Sequence, residues 1–160
     1  MAKHKEVLFW SIAFPGFGQL LNGKLVKGII LIFLEFIVNV QAHFNEIIIL
    51  SFQGKIEKAI QTANYQWLMF YPCLYFFAMW DAFQDASENV DRSLFLPFLF
   101  SAYFVTVGCI YSSKLNLFGV LLGPVWLPML CVIPGLIVGF TIRSLWAKNR
   151  MPLQDENHHE

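Results

Sequence analysis

Charged side chains are scarce in this sequence: Asp, Glu, Lys and Arg make up only 14% of its 160 residues. Ordinary soluble domains carry about a quarter, so a soluble enzyme and a disordered tail are both excluded. The 11 basic residues are matched by 11 acidic ones, which leaves no basic excess for nucleic acid. Cysteine is rarer still. Cys73, Cys109 and Cys131 lie singly in apolar runs, without C-x-x-C spacing or a neighbouring His, so neither a disulfide framework nor a zinc site is indicated. They read as small core residues. The H-E-x-x-H, G-x-S-x-G, phosphate-loop and dinucleotide-loop patterns are missing, and no Ser falls into a nucleophile-and-base arrangement with a His. No catalytic residue, metal ligand or cofactor is expected.

What the chain has instead is apolar surface. Hydrophobic residues form 57% of it, aromatics 17% with 17 Phe among them, and the mean hydropathy is +0.55. A soluble fold this small cannot bury that much grease. Apolar stretches run over 7–21, 28–50, 65–83, 94–112 and 117–142, and all the Lys and Arg lie between or beyond them. At 1.5 Å per residue the last four reach about 28–39 Å against a hydrocarbon core of ~30 Å. The first would reach only about 22 Å even if straight, and Pro15-Gly16 followed by Gly18 works against straightness.

The distribution of basic residues selects an arrangement. If the first stretch is a half-length or re-entrant hairpin, Lys3, Lys5, Lys24, Lys27, Arg92, Arg143, Lys148 and Arg150 share one side. Only Lys55, Lys58 and Lys114 then face the other. Five full spans leave no such bias. Making 117–142 a membrane hairpin restores it, but allots about 13 residues per crossing, too few for the core. A cleaved leader over 1–18 is disfavoured because Gly16-Phe17-Gly18 is a poor cleavage site. The expected fold is therefore an all-α polytopic membrane protein with about four transmembrane helices plus an N-terminal Pro/Gly hairpin. Residues 1–150 form one domain and 151–160 a polar C-terminal tail, in which His158 and His159 are solvated. Trp10, Trp67, Trp80 and Trp146 lie near segment ends as interfacial anchors, whereas Trp126 is expected between helices.

The most distinctive local pattern is Phe14-Pro15-Gly16-Phe17-Gly18-Gln19-Leu20-Leu21-Asn22-Gly23-Lys24, continuing to Lys27-Gly28. Pro15 breaks a helix, Gly16 and Gly18 permit close approach or positive φ, and Asn22-Gly23 suits a reversal. Gln19 and Asn22 can satisfy the freed backbone groups, and Lys24 and Lys27 can reach lipid phosphates. This string, with Trp80-Asp81-Ala82-Phe83 and Asp85-Ala86 further on, resembles small bacterial integral membrane proteins with a Pro-Gly-x-Gly-Gln hairpin, related to the two-transmembrane-helix domain family. A similar opening occurs in some bacterial sugar-transporter permeases. The resemblance covers about residues 7–86. It departs from the simplest members in the polar insert at 53–64 and in two extra helices over 94–142, and it implies a location and a hairpin architecture without an activity.

Three further constellations are candidate sites. Glu35, Asn39, His43 and Glu46, spaced 4, 4 and 3, would share one helix face. An ion or proton path is conceivable there; hydrogen-bond glue between helices is favoured, because no opposite charge is visible in the other apolar stretches. Asp81, Asp85 and Glu88 fall at i, i+4 and i+7, a face able to hold hydrated Mg²⁺ or a basic partner. A solvated acidic connector paired with Arg92, or weakly with Lys148 or Arg150, is favoured over that. Gly119-x-x-x-Gly123 and Gly135-x-x-x-Gly139 would let a neighbouring helix approach closely, within the bundle or in a homodimer.

Expected, then, is a multi-pass cell-membrane protein with both termini cytoplasmic, acting as a non-enzymatic accessory or scaffold subunit. Its partners are the lipid bilayer and a homo-oligomer or larger membrane complex, with no nucleic acid. A small channel or transporter component built on Glu35, Asn39 and His43 is the alternative, and a lipid-headgroup enzyme built on Asp81, Asp85 and Glu88 the third.

Overall fold

Long apolar runs with few interior breakers satisfy their backbone most cheaply as helix. The structure, a computed structural model, is accordingly all-α apart from one tiny hairpin; it describes residues 2–87 and 91–150. Along the chain run α1 (Ala2–Ala13), α2 (Phe17–Leu21), α3 (Leu25–Ala42), α4 (Phe44–Phe52), α5 (Ile56–Thr62), α6 (Tyr65–Leu68) and α7 (Phe70–Asp85). A 3₁₀ turn (Arg92–Leu94), α8 (Phe95–Tyr111), β1 (Asn116–Leu117), β2 (Val120–Leu121) and α9 (Gly123–Arg150) complete it. Glu88 and the 151–160 tail lie outside the described residues.

Among the described residues, two helices are long and apolar enough to cross a membrane: Leu25–Ala42 and Gly123–Lys148. Helix α8 is apolar but shorter, and α7 has 16 residues. Two of the expected continuous runs are divided. The stretch 28–50 breaks at His43, which takes a left-handed conformation (φ 56) between α3 and α4. The stretch 65–83 is split at Met69 into α6 and α7, although Met69 keeps near-helical dihedrals.

Helices α8 and α9 form the tightest pair. A Cβ on Gly135 would stand 2.6 Å from Ser101 Cα, and one on Gly139 would stand 2.5 Å from Pro97 Cα. From the other side, a Cβ on Gly108 would meet Cys131 Sγ at 2.8 Å. Backbone touches backbone there, so Gly135 and Gly139 pack within the chain. Gly119 and Gly123 do other work and correct the expected four-glycine stripe. Gly119 (φ 82) follows Phe118 (φ 52) in the two-residue turn joining β1 to β2, and nothing lies near its absent side chain. Two successive positive φ values match the right-handed strand twist of such hairpins. Gly123 (φ 73) opens α9 against Ile56, 2.7 Å from where its Cβ would be.

One core cluster lies at the far end from the termini, where α4 and α5 fold back over α3, α6, α8 and α9: Ala42, Ile47, Leu50, Ala59, Leu68, Cys109 and Val125. Trp126 packs between helices as expected, its ring 4.7 Å from Phe52 and its N–H donating to Ser51 O at 3.3 Å. A second cluster of Phe76, Met79, Ala102 and Val105 joins α7 to α8. Polar side chains inside the helices mostly return to their own backbone: Ser11 to Val7 O, Thr106 to Ala102 O and Thr141 to Ile137 O. That suits a surround poor in water. Large apolar side chains cover the outside, among them Phe9, Phe33, Phe36, Phe77, Tyr103, Ile137 and Phe140.

Candidate functional site

The Pro-Gly hairpin and the Trp80-Asp81-Ala82-Phe83 segment meet. Chain direction reverses at Phe14–Gly16, where Gly16 holds φ 100 and its position leaves no room for a side chain beside Gly28 O (2.7 Å). Gly28 reciprocates, since a Cβ there would press on Leu20 Cδ2 at 2.5 Å. Helix α2 ends in a Schellman closure: Gly23 N–H donates to Leu20 O and Lys24 N–H to Gln19 O, both at 2.9 Å, with Gly23 at φ 75. Gly18 sits where a Cβ would fall 2.7 Å from Ala82 Cβ and overlap Ser11 Oγ. The short helix is thus wedged between α1, α3 and α7.

That close approach brings a polar node together. Gln19, fully buried, donates through Nε2 to Ala78 O (2.8 Å) and to Asp81 Oδ2 (3.0 Å). Asn22 donates through Nδ2 to Ala82 O (2.8 Å). Lys27, one turn into α3, donates to Asp81 Oδ1 (2.8 Å) and Asp85 Oδ2 (3.1 Å). Gln19 lies on α2 and Asn22 caps its end three residues on, and Ala78, Asp81, Ala82 and Asp85 form one face of α7, so each polar group arrives in register. Asp81 has one oxygen on Gln19 and the other on Lys27. Gln19 Oε1 and Asn22 Oδ1 are buried without a hydrogen-bond donor among the described residues.

The node corrects two expectations. Lys27 binds Asp81 and Asp85 instead of reaching for phosphate, and the carboxylates pair with Lys27 in place of Lys148, while the side chains of Arg92 and Arg150 lie outside those described. The Lys27 ammonium bridges the two carboxylates. Among the described residues no group of three His, Cys, Asp or Glu is placed to hold a metal ion. Lys27 is not visible as a partner in the linear chain, because the two segments lie 54 to 58 residues apart. The usable signal was that Lys27, Asp81 and Asp85 fall on the same side in the arrangement that the basic residues select.

The polar stripe on the second stretch does not stay together. Glu35 is 4% exposed, with the Tyr71 hydroxyl and the Asn39 amide beside its carboxylate. Asn39 also reaches Asn45 Oδ1 at 3.4 Å. The break at His43 turns the helix axis, which leaves His43 and Glu46 exposed and off that face. The physical reason is the junction itself, where Ala42 O accepts from Asn64 N–H at 3.4 Å across the α6 entry. Tyr71 stacks on Tyr75 (centroids 5.8 Å apart), and the Tyr75 hydroxyl donates to Ile12 O at 2.6 Å. Spacing within one segment could not reveal Tyr71.

A smaller polar set closes the same end of the bundle. Asp91 accepts from Ser93 Oγ (2.6 Å) and Ser93 N–H (3.0 Å), and Arg143 donates to Asp91 Oδ2 at 3.3 Å. The Ser93 donors, with Arg143 adding less, hold the Asp91 carboxyl below its ordinary range. Its folded value being depressed, its contribution is present above the ordinary carboxylate pKa and fades as pH falls through the lowered one. Asp91 is exposed, so that contribution is screened. No protein-family model, curated protein or solved structure matches the chain.

Proposed function

We propose that this chain is a multi-pass membrane protein whose half-length N-terminal hairpin is locked against α7, and that it serves without catalysis as an accessory or scaffold subunit. The carrying observation is the Gln19–Asp81–Lys27 node. The polar groups at the hairpin engage one another across three helices, as glue does. On this reading α3 and α9, each long and apolar enough to cross by itself, are two spans, and α8 and the α6–α7 pair, which covers 65–85 at about 31 Å, are two more. Gly123 to Arg143 alone measures about 30 Å, and Arg143 is tied to the polar start of α8 through Asp91. Both termini and the node then lie on the cytoplasmic side of the cell membrane. Contact between the Pro-Gly-x-Gly-Gln hairpin and the Asp-Ala segment also supports kinship with the small hairpin proteins, where the two motifs occur together. A homo-oligomer or a larger membrane complex is the expected partner.

A second reading, a channel or transporter component, draws on Glu35 with Tyr71 and Tyr75 leading toward Ile12 O. The two separate in one experiment. The protein extracted into nanodiscs is expected at a mass well above one 18.5 kDa chain plus lipid, and proteoliposomes should show no proton flux that changes with Glu35→Gln. A single chain per disc, with a pH-driven flux abolished by Glu35→Gln, would reverse the preference.

A further inference from the structure

The β1–β2 hairpin carries an aromatic where its geometry least favours one. Phe118 occupies the left-handed region (φ 52), a conformation in which bulky residues are rare and Gly, Asn or Asp are the usual occupants. Nothing in the described chain repays this: Phe118 is 99% exposed, and Leu115, Leu117 and Val120 around it are exposed too. The hairpin is not isolated, however. Leu121 shares a hollow with Lys55, Glu57 and Lys58, so that the basic pair outweighs one carboxylate there, Gly123 packs on Ile56, and Lys114 leads into β1. Lys55, Lys58 and Lys114 are the same three basic residues that the charge distribution assigns to the side away from the termini.

We infer that this hairpin is an interfacial anchor, with Phe118 inserted at the boundary between headgroups and acyl chains of the non-cytoplasmic leaflet and the three lysines over acidic headgroups. The inference rests on the proposed spanning of α9. If Arg143 marks one edge of the hydrocarbon, a helix rise of 1.5 Å per residue puts Gly123 about 30 Å away at the other edge. Residues 116–121 then lie at interface depth, where an aromatic ring is favoured and lysines meet phosphates. A protein occupant fits poorly. A standard interface needs about 800 Å² per partner, whereas one aromatic at a hairpin tip offers about 150–250 Å².

The test uses full-length protein with Cys73, Cys109 and Cys131 replaced by Ala, in nanodiscs containing acidic lipid, with a nitroxide on Val120→Cys or, separately, on Ile133→Cys. Collision with oxygen against a water-soluble nickel chelate reads the depth of each label. The Val120 label should lie at the interface and become water-exposed on Phe118→Asn, which keeps the left-handed turn, while Phe118→Trp retains the depth. Zwitterionic lipid should make it shallower. A water-exposed Val120 label beside a deep Ile133 label overturns the anchor alone. A water-exposed Ile133 label overturns the spanning of α9 itself. Protection of Val120 from both reagents, with a spin-spin distance between copies, overturns the lipid assignment in favour of a chain-to-chain contact.

Discussion

Gly139→Leu is expected to separate α8 from α9 and to cost about 3 kcal/mol or more, the upper range for overpacking. The reason is what surrounds the absent side chain. A Cβ would meet Pro97 Cα at 2.5 Å, Pro97 N at 2.8 Å and Leu96 O at 2.9 Å, all backbone atoms that no rotamer change can move. Gly135→Leu should behave alike against Ser101 and Phe100 O. Phe140→Leu, next in sequence but on the exposed face, should stay within about 0.5 kcal/mol of the native protein, as surface substitutions usually do. Reversible unfolding in mixed micelles reads all three. A Gly139→Leu protein as stable as Phe140→Leu would mean that α8 and α9 do not meet through this glycine.

Gln19→Ala is expected to cost about 2–3 kcal/mol, because it empties a fully buried site and removes a donor from Asp81 and from Ala78 O. Lys27→Ala should cost less, about 1 kcal/mol, since the Lys27 side chain is 49% exposed and its ion pairs are solvent-screened. This ordering runs against a ranking by formal charge. Hydrogen bonds between membrane helices average only about 0.6 kcal/mol, so most of the Gln19 effect comes from lost packing around α2. Unfolding titrations of the two variants check it; a Lys27→Ala loss exceeding that of Gln19→Ala would place the weight of the node on charge instead of burial.

Much of this architecture is legible in the linear chain, and the part that is not shares one cause. Pro15 with Gly16 announces a reversal because each residue restricts or frees its own backbone locally. Apolar run length reveals α3 and α9 for the same reason. His43 gives no such warning, lacking the ring of proline or the freedom of glycine; its left-handed turn is fixed by the α6 entry reaching Ala42 O. Lys27 finding Asp81 and Asp85, and Glu35 finding Tyr71, are decisions of packing between segments far apart in sequence. Gly119 shows a period read in the wrong secondary structure. Four-residue spacing to Gly123 suggests a helix stripe, yet Phe118-Gly119 between Leu117 and Val120 is a two-residue hairpin turn.

The decisive measurement is the side from which single cysteines at Lys5, Leu25, Lys58 and Lys148 react with an impermeant maleimide, in intact cells and in inverted vesicles. With α1 and α2 folded back on α7, Lys5→Cys, Leu25→Cys and Lys148→Cys should all label from the cytoplasm and Lys58→Cys from the opposite face. Labelling of Leu25→Cys and Lys5→Cys from opposite faces would contradict the docked hairpin, and with it the arrangement of spans built on that hairpin.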